Sequence, residues 1–332
     1  MSTTNKLAAR VVPARAIPGG RVAIEAGSAP FAVEPVPHVR FGAVDVRLAS
    51  ASTRRLVAIV PAEIEGGRAA IELDASDEPV GAVEIGRAVA TGLHQVDGPA
   101  FDRDGNLYVT FSGTRGQQVP VSIFRVRSDG EREAIASGIV NATSLAFDPF
   151  GELCVTSRFD GSVYRVKMDG TVEKVASDLG VACGLAFTPD GTMYVGDRTG
   201  TLFRVNAAGR VIPFATLPPS IAAFHLAIGP HEEVYVTAPT LSTRDPIYRV
   251  DHRGEVTVFA EGFGRPQGLA VDADGTLHVA EALAGASGVY RVRRGGRREL
   301  MVAGDGVIGL AFHPGRGVAV VSSDTAYLFP GW

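Results

Sequence analysis

The chain has 332 residues, of which 45% are hydrophobic and 20% charged, enough apolar material for a sizeable core and too much for a disordered chain. Thirty-two Lys and Arg against 36 Asp and Glu give a net charge of −4, so no basic surplus exists to neutralise phosphates and no nucleic-acid partner is expected. The only cysteines, Cys154 and Cys183, make no disulfide framework.

In chain order, Met1–Arg10 lacks the apolar run of a signal peptide, and no stretch reaches bilayer-spanning length. The expectation is a cytoplasmic protein with no membrane partner. Residues 9–80 carry short apolar runs separated by tight turns: Ala16–Ile24, Val39–Val44, Leu56–Pro61 and Gly67–Leu73. This pattern predicts a small β-sandwich. Its Pro18-Gly-Gly20, Phe41-Gly42 and Val60-Pro61 signatures resemble the IPT/TIG immunoglobulin-like family, whose members space, pack or bind, so no chemistry is assigned there. The boundary is placed at Ser76–Pro79.

Beyond residue 82 the chain repeats itself. One phrase recurs as Pro99-Ala-Phe-Asp102, Leu145-Ala-Phe-Asp148, Leu185-Ala-Phe-Thr188, Leu226-Ala-Ile-Gly229, Leu269-Ala-Val-Asp272 and Leu310-Ala-Phe-His313. Each phrase leads through a Gly turn to a short strand, a loop, and in five units an aromatic-Arg-Val strand such as Tyr164-Arg-Val166. A further Gly turn and a last strand follow. Four strands per unit of roughly 40 residues predict a six-bladed β-propeller over 83–332. The sixth unit lacks its fourth strand, and Ala88–Leu93 matches Ala134–Ile139, the last strand of unit one. Residues 83–92 are therefore expected to close the last blade. The fold class expected is all-β, an immunoglobulin-like sandwich followed by this propeller.

In such a meander the short Asp-Gly turns share one face. The variable loops and the starts of the innermost strands share the other, where sites are built. Comparing the units separates architecture from exceptions. Four positions before the anchor Phe, Ile or Val stand Asp97, Thr143, Cys183, Phe224, Gln267 and Ile308; one position later stand Gly98, Ser144, Gly184, His225, Gly268 and Gly309. Asp97, Cys183, His225 and Gln267 thus ring one channel mouth. His94, Gln95, Asn141 and Arg265 precede these strands, and Arg115, Gln117, Arg158, Asp197, Arg198 and Glu281 lie on neighbouring loops.

Each has a structural alternative. Cys183 is a small buried filler, or else a ligand or nucleophile. His225 replaces a glycine and is either a hydrogen-bonded structural histidine or a catalytic one. Glu281 caps its loop or transfers protons; Gln267 can only ligate or hydrogen-bond. Arg158 and Arg198 are solvated loop charges or substrate contacts. Cys154 takes a Tyr position and reads as core. No phosphate loop, CxxC, HxxxH or GxSxG occurs.

Gly184-Leu-Ala-Phe-Thr-Pro-Asp-Gly-Thr-Met-Tyr-Val-Gly-Asp197 and Pro266-Gln-Gly-Leu-Ala-Val-Asp-Ala-Asp-Gly-Thr-Leu-His-Val279 resemble the senescence marker protein/gluconolactonase-like, NHL-related propellers. The resemblance covers 83–332 and implies hydrolysis of lactones and related esters around a divalent cation. The family's Glu, Asn and Asp ligands correspond to Asp97, Cys183 and Gln267. Calcium prefers six to eight hard oxygens, which this set does not offer. If a metal is bound, Asp97, Cys183 and His225 suit zinc better than calcium.

The favoured expectation is a hydrolase of a small lactone or ester. Asp97, Cys183, His225 and Glu281 are its catalytic candidates. His94, Arg115, Gln117, Asn141, Arg158, Arg198, Arg265 and Gln267 are the substrate contacts. A lyase or isomerase on the same face and a non-catalytic binding propeller are the alternatives.

Overall fold

The computed structural model describes residues 9–74, 76–283, 287–293 and 295–332. Most of the leader-type reading at Met1–Arg10 and the middle of the long loop after Glu281 lie outside the described residues. Within them the chain is a succession of β-strands, and no helix is long and apolar enough to cross a membrane.

The repeats form a β-propeller of antiparallel four-stranded meanders. The first three complete sheets begin with the innermost strands Ala100–Phe101, Ala142–Phe147 and Ala182–Phe187, and the fourth begins with His225–Ile228. Each runs outward in sequence order, and each innermost strand packs against the next one. Second strands such as Leu107–Thr110 and Leu153–Ser157 are buried along their whole length because they sit between neighbouring sheets. Outer strands such as Val172–Ala176 are partly exposed. The recurrent Asp turns are held by their own side chains: Asp148 Oδ1 accepts from the Phe150 and Glu152 amides, both at 2.9 Å.

A further separate sheet combines Gly309–His313, Gly317–Val321 and Ala326–Phe329 with Arg87–Ala90 as its outermost strand. The strand is shorter than the expected 83–92. Gly81–Ile85 pairs instead with Gly67–Leu73, and Gly86 separates the two strands.

Five four-stranded sheets thus stand alone rather than six. The fifth repeat, Pro266–Val271 through Arg298–Ala303, is one end of a twelve-stranded sheet. Its outer strand takes Arg15–Ala16 in parallel, with Ala16 opposite Ala303, and Arg15–Ala16 in turn pairs with Gly81–Ile85. Val22, Ile24, Phe41, Leu56, Ile71 and Ile85 bury a core of their own in the N-terminal region. Ile17 does not join it. This side chain packs with Val289, Val302, Val307 and Phe329. A shared sheet and the packing of Ile17 thus join the residues on either side of Ser76–Pro79.

Candidate functional site

The channel is narrow because the innermost strands meet through glycines. A Cβ on Gly309 would stand 2.4 Å from the Gly98 Cα, and one on Gly268 would stand 2.7 Å from the Gly309 Cα. At this register two repeats carry a side chain in place of glycine, Ser144 and His225, and only His225 is large. Its Nδ1 lies 2.6 Å from Asp97 Oδ1, joining strand starts 128 residues apart. Asp97 Oδ1 also accepts from the Gly98 amide at 2.7 Å. His225 has no exposed surface and Asp97 keeps 7%. With the Asp97 carboxylate as the acceptor, Nδ1 is the donor of this bond, and in the neutral ring Nε2 then holds the lone pair. Nε2 is buried with no hydrogen-bond partner among the described residues, an arrangement that costs about 1–3 kcal/mol when nothing fills it.

Cys183 lies in the same cluster. Burial pushes its thiol up to about 11, assisted by Asp97 and opposed by the Phe224 amide, Arg158 and Arg198. A proton-bearing thiol is not an activated nucleophile. Its backbone carbonyl accepts from Thr156 Oγ1 at 2.7 Å, and the Gln267 carbonyl accepts from Thr237 Oγ1 at 2.6 Å. These two threonines tie neighbouring repeats together at the mouth. They were legible as a Thr that recurs at the fourth position of Leu107–Thr110, Leu153–Ser157 and Val234–Thr237.

The proposed metal set does not hold. Among the described residues no group of three His, Cys, Asp or Glu side chains could hold an ion. The donor geometry agrees: Asp97 Oδ1 is engaged by His225 and the Gly98 amide. Neither the oxygen-rich calcium shell nor an Asp–Cys–His zinc site fits these residues.

Asn141 and Gln117 are both engaged by the loop that bears Arg115. Asn141 Nδ2 donates to the Ser112 carbonyl at 2.7 Å and the Thr114 carbonyl at 2.8 Å, while Oδ1 accepts from the Gly116 amide at 2.8 Å. Gln117 Oε1 accepts from the Thr114 amide at 2.8 Å and from its hydroxyl at 3.0 Å. Both side chains shape the loop bearing Arg115. Arg158 and Arg198 follow the strands Leu153–Ser157 and Met193–Asp197 directly, and both are half-buried. Gln267 is buried but keeps 8% exposure at the mouth, whereas Arg265 is exposed with a left-handed backbone, φ 63°. His94 sits edge-on to Phe111, with ring centroids 6.1 Å apart.

Glu281 is not brought to the channel pair by any contact. Its Oε1 accepts from the Gly264 amide and its Oε2 from Arg298 Nη1, both at 3.1 Å. Arg298 belongs to the outermost strand of that repeat and stacks over Phe263 and Tyr290. Burial raises the Glu281 pKa, against the Gly264 amide and Arg298. The carboxyl caps its inter-repeat link, as Asp197 does by accepting from the Val181 amide at 2.8 Å.

No protein-family model matches the chain, and no curated protein matches it significantly. Solved structures do. A gluconolactonase of Xanthomonas campestris is 16% identical over 89% of this chain and 97% of its own, with a TM-score of 0.60. An auxiliary nutrient binding protein of Bacteroides ovatus is 13% identical over 100% of both chains, with a TM-score of 0.56. A calcium-binding regucalcin of Agrobacterium tumefaciens is 19% identical over 73% of this chain and 92% of its own, with a TM-score of 0.56. At these identities the likeness shows the all-β propeller fold.

Proposed function

We propose that the protein hydrolyses a small lactone or ester at the channel mouth, with His225 as general base and Asp97 as the residue that orients it. One observation carries this reading: a buried imidazole bound through Nδ1 to a carboxylate at 2.6 Å, with Nε2 left unpartnered. Nε2 would take a proton from water as the water oxygen adds to the substrate carbonyl, and Asp97 would stabilise the imidazolium. That proton would then pass to the departing alkoxide oxygen as the carbon–oxygen bond breaks, leaving acid and alcohol. Gln267 and Arg265 at the mouth supply hydrogen bonds to the substrate. Because the ring is fully buried, a side-chain movement must open the mouth first. The gluconolactonase among the fold neighbours supports the reaction class.

The test is a panel of lactones and carboxylic esters. Asp97→Asn should lower kcat by about 10²–10⁴ by leaving the imidazole in the wrong tautomer, and His225→Ala should lower it at least as far. Unchanged turnover in both variants overturns the mechanism.

A non-catalytic binding propeller is the second reading. It is favoured by the whole-length likeness to a nutrient binding protein and by the complete burial of His225. Saturable ligand binding without turnover of any panel member would select it. The lyase or isomerase alternative loses support, because Glu281, its second proton carrier, is held by Gly264 and Arg298.

We also read Pro266–Ala303 as a sixth blade and the strands of 9–85 as an immunoglobulin-like sandwich. The first is supported by Pro266–Val271 packing between His225–Ile228 and Gly309–His313, the second by an apolar cluster built mainly from residues 16–85.

A further inference from the structure

Several arginines of the repeats are ion-paired: Arg125 with Glu133, Arg165 with Glu152, Arg291 with Glu299 and Arg298 with Glu281. The guanidinium groups of Arg115, Arg158 and Arg198 have no hydrogen-bond acceptor or ion-pair partner among the described residues. Nearby carboxylates are committed elsewhere. Asp160 is bound by Tyr164 and Lys174, Asp197 by the Val181 amide and Thr199, and Asp97 by His225.

The three arginines are nevertheless held in place by backbone. The Arg158 amide donates to the Asn141 carbonyl at 3.4 Å, while the Asn141 side chain grips the Thr114 carbonyl and the Gly116 amide on either side of Arg115. One residue therefore positions two arginines from different repeats. Arg198 occupies the corresponding place one repeat on, its amide donating to the Val181 carbonyl at 3.1 Å and its carbonyl accepting from the Ser220 amide at 2.9 Å. Arg158 is half-buried, and its pKa is lowered by that burial and by repulsion from Arg198 and Arg115, so both lie within electrostatic reach of it. Cys183, in the cluster of the Asp97–His225 pair, feels the charges of Arg158, Arg198 and Asp97.

We infer that Arg115, Arg158 and Arg198 form an oxyanion-binding site, and that the molecule bound at the mouth carries a carboxylate. Like charges gathered without counter-charges are held by the fold at a cost, and a planar carboxylate matches the guanidinium fork through two parallel hydrogen bonds. The substrate half of this inference rests on the hydrolase reading, where the molecule is a carboxylate-bearing lactone or ester; the anion site does not.

The experiment uses the full chain labelled with ¹⁵N-arginine and follows the Nε–Hε resonances. Sodium gluconate, inorganic phosphate and uncharged glucitol are titrated at constant ionic strength. Arg158→Gln and Arg198→Gln assign the two signals, and Arg158→Lys replaces the first if it fails to fold. Saturable gluconate shifts are expected at Arg158 and Arg198, with no response to glucitol. Gluconate binding should weaken at least tenfold in each glutamine variant. No saturable shift, equal shifts with glucitol, or shifts shared with exposed arginines such as Arg54 would overturn the site. Phosphate binding alone would overturn the carboxylate assignment. Turnover confined to neutral lactones and untouched by Arg158→Gln overturns this inference while leaving the hydrolase; saturable carboxylate binding with no turnover does the reverse.

Discussion

At neutral pH the Cys183 thiol keeps its proton, because burial raises its pKa to about 11, and burial raises that of Cys154 to about 12. Iodoacetamide at pH 8 should therefore leave both unmodified in the folded protein and alkylate both after unfolding, which mass spectrometry reads directly. The same shifts give a pH dependence of stability. Below the ordinary thiol value of 9.0 both states are protonated and nothing changes. From pH 9 upward the unfolded chain releases its protons first, so stability falls until the folded thiols titrate near 11 and 12. Cys154→Ala with Cys183→Ala should flatten that alkaline slope in denaturant titrations. An unchanged slope would refute the burial account. The register comparison found Asp97, Cys183, His225 and Gln267 because each breaks a repeat. It could not show that Asn141 and Glu281 are consumed by amides and carbonyls, since their partners come from loops whose course the sequence does not specify.

Two elements reach beyond their expected limits. The pair Arg15–Ala16 leads Ile17 into a cluster with Val289, Val302 and Phe329, so Ile17→Ala removes packing from the propeller rather than from its own region. It should cost about 2–5 kcal/mol, measured by denaturant unfolding; a loss below 1 kcal/mol, the scale of a surface change, would place Ile17 outside the core. The second element is Gly309–His313, whose first residue meets Gly98 backbone to backbone. Gly309→Ala should push these strands apart and lower the melting temperature, whereas Gly130→Ala, at a positive-φ turn with open space, strains only its own backbone. Equal melting of Gly309→Ala and the parent would show that the channel is looser than described. The periodicity made the meanders legible in the sequence. The parallel pairing of Arg15–Ala16 was not, because two residues carry no alternation to read.

On the scale of the whole molecule, the N-terminal segment is fastened to both of the last two repeats. Removing residues 1–80 deletes Arg15–Ala16 and Ile17 and should lower stability while leaving Arg87–Ala90 paired with Ala326–Phe329. Removing 1–92 also strips that strand, baring the edge of Ala326–Phe329, and the product should aggregate as well as melt early. Light scattering and calorimetry distinguish the outcomes. Equal solubility and melting of both truncations would refute closure by Arg87–Ala90.

That fastening also sets an order of events during synthesis. The sheets that start at Ala100, Ala142, Ala182 and His225 are each built from contiguous chain, so each can assemble soon after its last strand is made. Arg87–Ala90 and Arg15–Ala16 are made before all of them, yet their partners Ala326–Phe329 and Arg298–Ala303 come near the other end of the chain. On the ribosome Arg87–Ala90 must wait unpaired while Arg15–Ala16 has only its Gly81–Ile85 partner, and Arg87, exposed on the closing strand, puts a charge on an edge that would otherwise invite another chain.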